Sequence, residues 1–277
     1  MRLAFTVATP DTHDATMAAF RGDGLDHAFC TLSELGYSGA ELMVRHPAEL
    51  DAGEIERLAA KYEIAIPAVS TGQLRKEDGL ALNALDAALR AETVRRTREV
   101  VDFAARFGAQ VNIGSLRGQM PSAGRERAAA IDAVRASVAE LLEYAAPRGV
   151  ALAIEPQSRY ISNWLNTVSE TMQFARSFPG MQLHIVFDVY HAMLEESSVA
   201  AAMIAGRERI SWVQLSDSDR GAPGGGQMNF GEHIRVLHAL CYDGYLSVEC
   251  NPFPDAETAA RRSAAHLKPL LAQITYA

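Results

Sequence analysis

The chain lacks most of the marks that would tie it to a nucleotide, a nucleic acid, a membrane or a disulfide framework. Neither G-x-G-x-x-G nor G-x-x-x-x-G-K-[ST] occurs in its 277 residues, so the two glycine loops that seat phosphates on a helix N-terminus are absent. Cysteine is scarce. Cys30, Cys241 and Cys250 are odd in number and show no C-x-x-C spacing, which excludes a sequence-legible disulfide scaffold or zinc finger and fits a reducing cytoplasm. Positive charge is in deficit, 26 Lys and Arg against 34 Asp and Glu for a net charge of -8, opposing non-specific binding to nucleic acid or anionic lipid. No apolar run approaches the roughly 20 residues that span a bilayer. The opening "MRLAFTVATPDTHD" has no apolar signal core. These absences lead us to expect a cytoplasmic protein with neither a nucleic-acid nor a membrane partner. No Pro/Ser-rich linker divides the chain, so residues 1–277 are expected to form one domain.

What is present is a repeated strand–helix rhythm. Eight short β-rich segments recur at 2–8, 39–44, 64–71, 109–115, 150–156, 183–188, 210–216 and 245–250, as near-continuous apolar runs suited to strands covered on both faces. Between them lie amphipathic stretches such as "RERAAAIDAVRASVAELLEYAAPRG", and Gly108 and Gly149 stand as helix stops. Eight such units predict an α/β fold, a closed (β/α)8 TIM barrel.

In such a barrel the C-terminal strand ends converge on one mouth. The ends of strands five to eight read Glu155, Asp188 with His191, Gln214 with Asp217, and Glu249. An acid ending a buried strand needs a partner, because desolvating a lone carboxylate is costly; one divalent cation would serve all three acids. A single strand-end acid is ordinarily an ion-pair partner or a helix cap, so it is the joint pattern that points to metal. His191, three residues after Asp188, and Arg220, beside a glycine-rich turn, are candidate substrate contacts. Gln73 and Asn112, from strands three and four, are candidates for the opposite wall.

The segments "AIEPQSRY", "FDVYH", "VQLSDSDRGAPGGG" and "LSVECNP", in that order, resemble the xylose-isomerase-like barrels, which include ketose 3-epimerases and sugar phosphate isomerase/epimerase proteins. "STGQLRKEDGLAL" and "VNIGSLRG" are similar to a subgroup associated with keto-sugar and keto-gluconate epimerisation. The resemblance implies one divalent ion held by Glu155, Asp188, Gln214 and Glu249, with Glu155 and Glu249 also exchanging the substrate proton through an enediolate. It further implies a small sugar as partner and a homodimer or homotetramer as the assembly. The family uses manganese, magnesium, cobalt or zinc; the seventh-strand ligand is usually histidine, and an amide oxygen there favours Mn2+ or Mg2+ over Co2+ or Zn2+. Glutamine at this place is also similar to dehydratases acting on inosose or dehydroshikimate, so a lyase is the alternative. A three-zinc endonuclease of the same barrel type would need more histidines at the strand ends, and a non-catalytic sugar-binding module would not need two facing glutamates.

Overall fold

The computed structural model describes residues 1–13, 17, 19–22 and 24–275. Eight parallel strands, β1 (Arg2–Ala8), β2 (Gly39–Met43), β3 (Ala65–Ser70), β4 (Gln110–Ile113), β5 (Leu152–Ile154), β6 (Leu183–Asp188), β7 (Ile210–Leu215) and β8 (Tyr245–Val248), pair in sequence order. The barrel closes where β1 pairs with β8, Arg2 opposite Tyr245 and Phe5 opposite Val248. The helices are α1 (Leu25–Glu34), α2 (Ala52–Tyr62), α3 (Gly72–Lys76), α4 (Ala87–Ala105), α5 (Gly124–Ala145), α6 (Val168–Ala175), α7 (Val189–Glu195), α8 (Val199–Gly206), α9 (Phe230–Ala239) and α10 (Ala256–Thr275).

The helical periodicity explains the outer ring. In α5 the buried positions Ala130, Val134, Val138, Leu141 and Ala145 repeat every three or four residues and make one apolar stripe. Each large aliphatic side chain buried this way contributes about 1.5–3 kcal/mol. Past a 3-10 turn, Gly149 adopts φ 68°, the left-handed conformation that ends a helix at no steric cost. The fifth strand is shorter than the expected 150–156. The Glu155 amide still bonds to the Ile113 carbonyl at 3.0 Å, but Pro156 has no N–H with which to extend the ladder.

Inside the barrel, alternate residues form layers. Ala4, Ala68, Ala153, Val186, Trp212 and Tyr245 make a buried plug. Its three alanines leave room for the Trp212 and Tyr245 rings, whose centroids lie 5.8 Å apart. Two residues further along the same strands come Thr6, Ser70, Glu155, Asp188, Gln214 and Ser247. The polar layer therefore sits one pleat above an apolar floor. Among the described residues, no helix is long and apolar enough to cross a membrane.

Candidate active site and metal centre

The C-terminal strand ends enclose a cleft of about 930 Å³, lined among others by Gln73, Asn112, Glu155, His191, Gln214, Arg220 and Glu249. Asp188 is buried within hydrogen-bonding reach of Arg220. Gln73 comes from the first turn of α3 rather than from the strand itself, because the chain has already turned at Thr71. The cleft thus brings together Gln73, Asn112, Glu155, His191, Gln214, Arg220 and Glu249, while Asp188 and Asp217 do not line it.

Asp188 is held at both oxygens. Its Oδ1 caps α7 by accepting from the Tyr190 amide at 2.8 Å, and its Oδ2 accepts from Arg220 Nη1 at 2.5 Å. Arg220 Nη1 also reaches Ser216 Oγ at 2.9 Å, and Nη2 donates to Glu249 Oε2 at 2.6 Å. One guanidinium therefore clamps two strand ends. Burial alone would raise the Asp188 carboxyl, but the charge and hydrogen bond of Arg220, with the Tyr190 amide, hold it below its usual range. Glu249 goes the other way: burial, reinforced by Asp188 and Glu41, pushes it up to about 8 despite Arg220. Glu155 is also raised well above the carboxylate range, first by burial and then by Glu249 and Asp188. His191 Nε2 lies 3.4 Å from Glu155 Oε1 and 3.9 Å from Asp188 Oδ2. Burial takes its imidazole down to about 4, outweighing the pull of Asp188, so the ring is neutral at pH 7.

The glycine-rich turn has a separate explanation. Asp217 points into it, accepting from the amides of Ser218 (2.8 Å), Gly224 (2.8 Å) and Met228 (3.0 Å). A Cβ on Gly226 would come within 2.4 Å of Asp217 Oδ1. Asp217 thus organises the loop, with both of its oxygens committed to backbone amides. The loop in turn sets Arg220 at φ 61°, a left-handed conformation that costs a non-glycine residue about 1–3 kcal/mol.

Three residues of the site escaped the sequence reading. Glu41, in the middle of β2, is fully buried and accepts from Ser70 Oγ, from Asn112 Nδ2 at 2.8 Å, from Trp212 Nε1 at 2.9 Å and from Gln214 Nε2 at 3.0 Å. Its one signal was an acid inside the apolar run "GAELMV". Asn112 is spent within this layer, since its Oδ1 also accepts from Gln110 Nε2 at 2.6 Å. Arg117 and Gln157 form a relay behind Glu155: Arg117 Nη1 donates to Gln157 Oε1 at 3.1 Å, and Gln157 Nε2 donates to Glu155 Oε2 at 2.8 Å. Burial lowers Arg117 to about 10, still cationic at neutral pH. Gly114 leaves space for this contact, because a Cβ there would stand 2.6 Å from Glu155 Oε2.

These arrangements leave specific atoms without partners. Glu155 Oε1, Gln214 Oε1 and His191 Nδ1 are buried with no hydrogen bond among the described residues, a costly condition for polar atoms. Glu155, Asp188 and His191 each offer a ligand atom, all within 4.8 Å of one another. Two unpartnered oxygens beside Asp188 and His191 suit a divalent ion, and an oxygen-rich set suits a hard one. The residues present therefore fit a metal.

A sequence model of the xylose isomerase-like TIM barrel family matches residues 29–270. The chain is 27% identical over 233 residues to an L-ribulose 3-epimerase of Methylomonas sp. (strain DH-1), covering 82% of this chain and 78% of the relative. It is 24% identical over 231 residues to a ketose 3-epimerase of Arthrobacter globiformis, covering 83% and 78%. A solved structure of L-ribulose 3-epimerase superposes with a TM-score of 0.83 at 20% identity, over 99% of this chain and 96% of that one.

Proposed function

Since the chain belongs to the xylose isomerase-like TIM barrel family, we propose that it is a divalent-metal-dependent epimerase of a keto sugar, exchanging the proton on the carbon beside the carbonyl. The observation that carries this reading is a pair of buried glutamates, Glu155 after β5 and Glu249 after β8, lining one cleft and both raised above the carboxylate range. The relatives named as ketose 3-epimerases support it.

Exchange on two faces needs one carboxylate that takes the C–H proton and one carboxyl that returns a proton, and the two glutamates lining the cleft supply that pair. The ionised member takes the C–H proton and the electron pair moves to the carbonyl, giving an enediolate. The protonated member then returns a proton to the opposite face, the carbonyl reforms, and no net proton is gained or lost. A divalent ion held by Glu155, Asp188, Gln214 and Glu249 would act as a Lewis acid on the carbonyl, with Mn2+ or Mg2+ best matched to the oxygen donors. Gln157 pins one Glu155 oxygen and leaves Oε1 free, while Arg220 fixes Glu249. Neutral His191 offers a hydrogen bond without adding charge. Gln73 Nε2, a buried donor without an acceptor among the described residues, fits a substrate hydroxyl.

Proton NMR in heavy water, with Mg2+-loaded protein and a panel of ketopentoses, ketohexoses and keto sugar acids, tests the reading. Deuterium at the carbon beside the carbonyl together with a new epimer is the expected result. No exchange with any of them, but loss of water from an inosose or dehydroshikimate, would assign the site to a dehydratase instead.

A further inference from the structure

We propose that Glu41 is a positioning residue: it turns the Gln214 amide so that its oxygen faces the ion site. The inference rests on Glu155, Asp188, Gln214 and Glu249 forming that site. An amide presents a donor at one end and an acceptor at the other, and either end fits the same space. Which end faces the cleft is decided by what the other end meets. Here Gln214 Nε2 meets Glu41 Oε1 at 3.0 Å, and a carboxylate only accepts. With the NH2 so committed, Oε1 is left buried and without a hydrogen bond among the described residues. Turning the amide over would set two oxygens against each other and expose an NH2 to the ligands.

Glu41 is itself immobile. Trp212 Nε1 holds its second oxygen at 2.9 Å, and the Trp212 ring is locked in the apolar plug beside Tyr245. Asn112 Nδ2 and Ser70 Oγ hold the first oxygen together with Gln214. Among the described residues no Lys or Arg forms an ion pair with this fully buried group. Its charge is matched by four neutral donors aimed at it, of which only Gln214 also lies beside Asp188 in the strand register. A glutamine at 41 would remove this bias, because its own NH2 would stand among these donors and Gln214 would no longer meet a group that only accepts.

The test is Mn2+ affinity, read from the electron paramagnetic resonance signal of free Mn2+, for the wild type, Glu41→Gln, Gln214→Ala and the double variant, each checked for folding by thermal melting. Glu41→Gln is expected to weaken Mn2+ binding about 10- to 100-fold, as loss of a residue that orients a ligand does. In the Gln214→Ala background the same change should cost less than about twofold, because the group it positions is gone. Equal losses in both backgrounds, or no loss in the wild-type background, would overturn the role. Should Glu41→Gln fail to fold, a crystal structure of the Mn2+-loaded wild type with anomalous scattering decides: Gln214 Oε1 on the ion and Nε2 on Glu41 supports the role, and any other orientation refutes it. A wild type that binds no Mn2+ removes the ion site itself, and the role with it.

Discussion

Replacing Arg220 with glutamine removes the clamp between β6 and β8. The guanidinium bonds to Asp188 at 2.5 Å and Glu249 at 2.6 Å, with the Asp188 side chain fully buried and those of Arg220 and Glu249 11% and 13% exposed. Solvent therefore screens little of the interaction. Removing one partner of a buried pair costs about 3–5 kcal/mol, since it strands the other charge. For a chain of this size 1 kcal/mol corresponds to about 2 °C in Tm, so in EDTA the variant is expected to melt roughly 6–10 °C below the wild type. The pH dependence has a definite sign. Arg220 holds Asp188 below its usual range; without it both carboxyls rise and take up protons as pH falls. The folded variant then binds more protons than the folded wild type, so the gap is largest near pH 8 and narrows downward. Added Mn2+ should also narrow it, because the freed carboxylates gain an alternative cation; at about 100 times its Kd an ion returns about 2.7 kcal/mol. Thermal melts from pH 5 to 8, with and without Mn2+, provide the assay. A gap under about 2 °C in EDTA, or one that widens toward low pH, would refute the reasoning.

Glu155→Gln and Glu249→Gln should each lower kcat by about 10²–10⁴, the first without lowering Tm, as burial already opposes its charge, the second with a lower Tm, as it takes a partner from Arg220; turnover within tenfold of wild type would exclude that residue from proton exchange. Because Glu249 is raised to about 8, ion binding below that pH must displace a proton. Mn2+ affinity of the EDTA-stripped protein is therefore expected to climb from about pH 6 to 8 and then level, with calorimetry in two buffers of different ionisation enthalpy reading the proton release. Gly114→Ala places a Cβ 2.6 Å from Glu155 Oε2 and 2.9 Å from Gln157 Nε2, and a displacement of that kind should cut kcat about 10²-fold; an unchanged kcat would show that Glu155 is not positioned for chemistry. Asp217 is held below its usual range because the amides of Met228, Gly226, Ser218 and Gly224 outweigh the effect of burial. Its contribution is present above the unfolded carboxylate value and lost as pH falls through the lowered one. Asp217→Asn should cost about 1–3 kcal/mol at pH 7, a difference that closes in melts below about pH 4.

The strand–helix rhythm was legible because a strand buried on both faces must be apolar and a covering helix must repeat every 3.6 residues, and both are local patterns. The strand-end acids were legible once the barrel was granted, since barrel geometry sends every strand's C-terminal end to one mouth. Their partners were not. Glu41 lies 173 residues from Gln214 in the chain, and its role depends on the closure that sets β2 facing β7 across the interior. Arg117 reads as a loop arginine in "GSLRG", yet it is fully buried behind Glu155 because the segment from Gln157 to Leu165 folds over it, two carbonyls of which it reaches. Asp217 reads as one more oxygen donor near the mouth, and the turn of the glycine loop commits it to backbone amides instead. The sequence by itself determined the barrel and the acids at its mouth, because those follow from the period of the chain. Only the tertiary structure decided which oxygens are already bonded and which stand free, because a hydrogen bond across the barrel leaves no trace in local spacing.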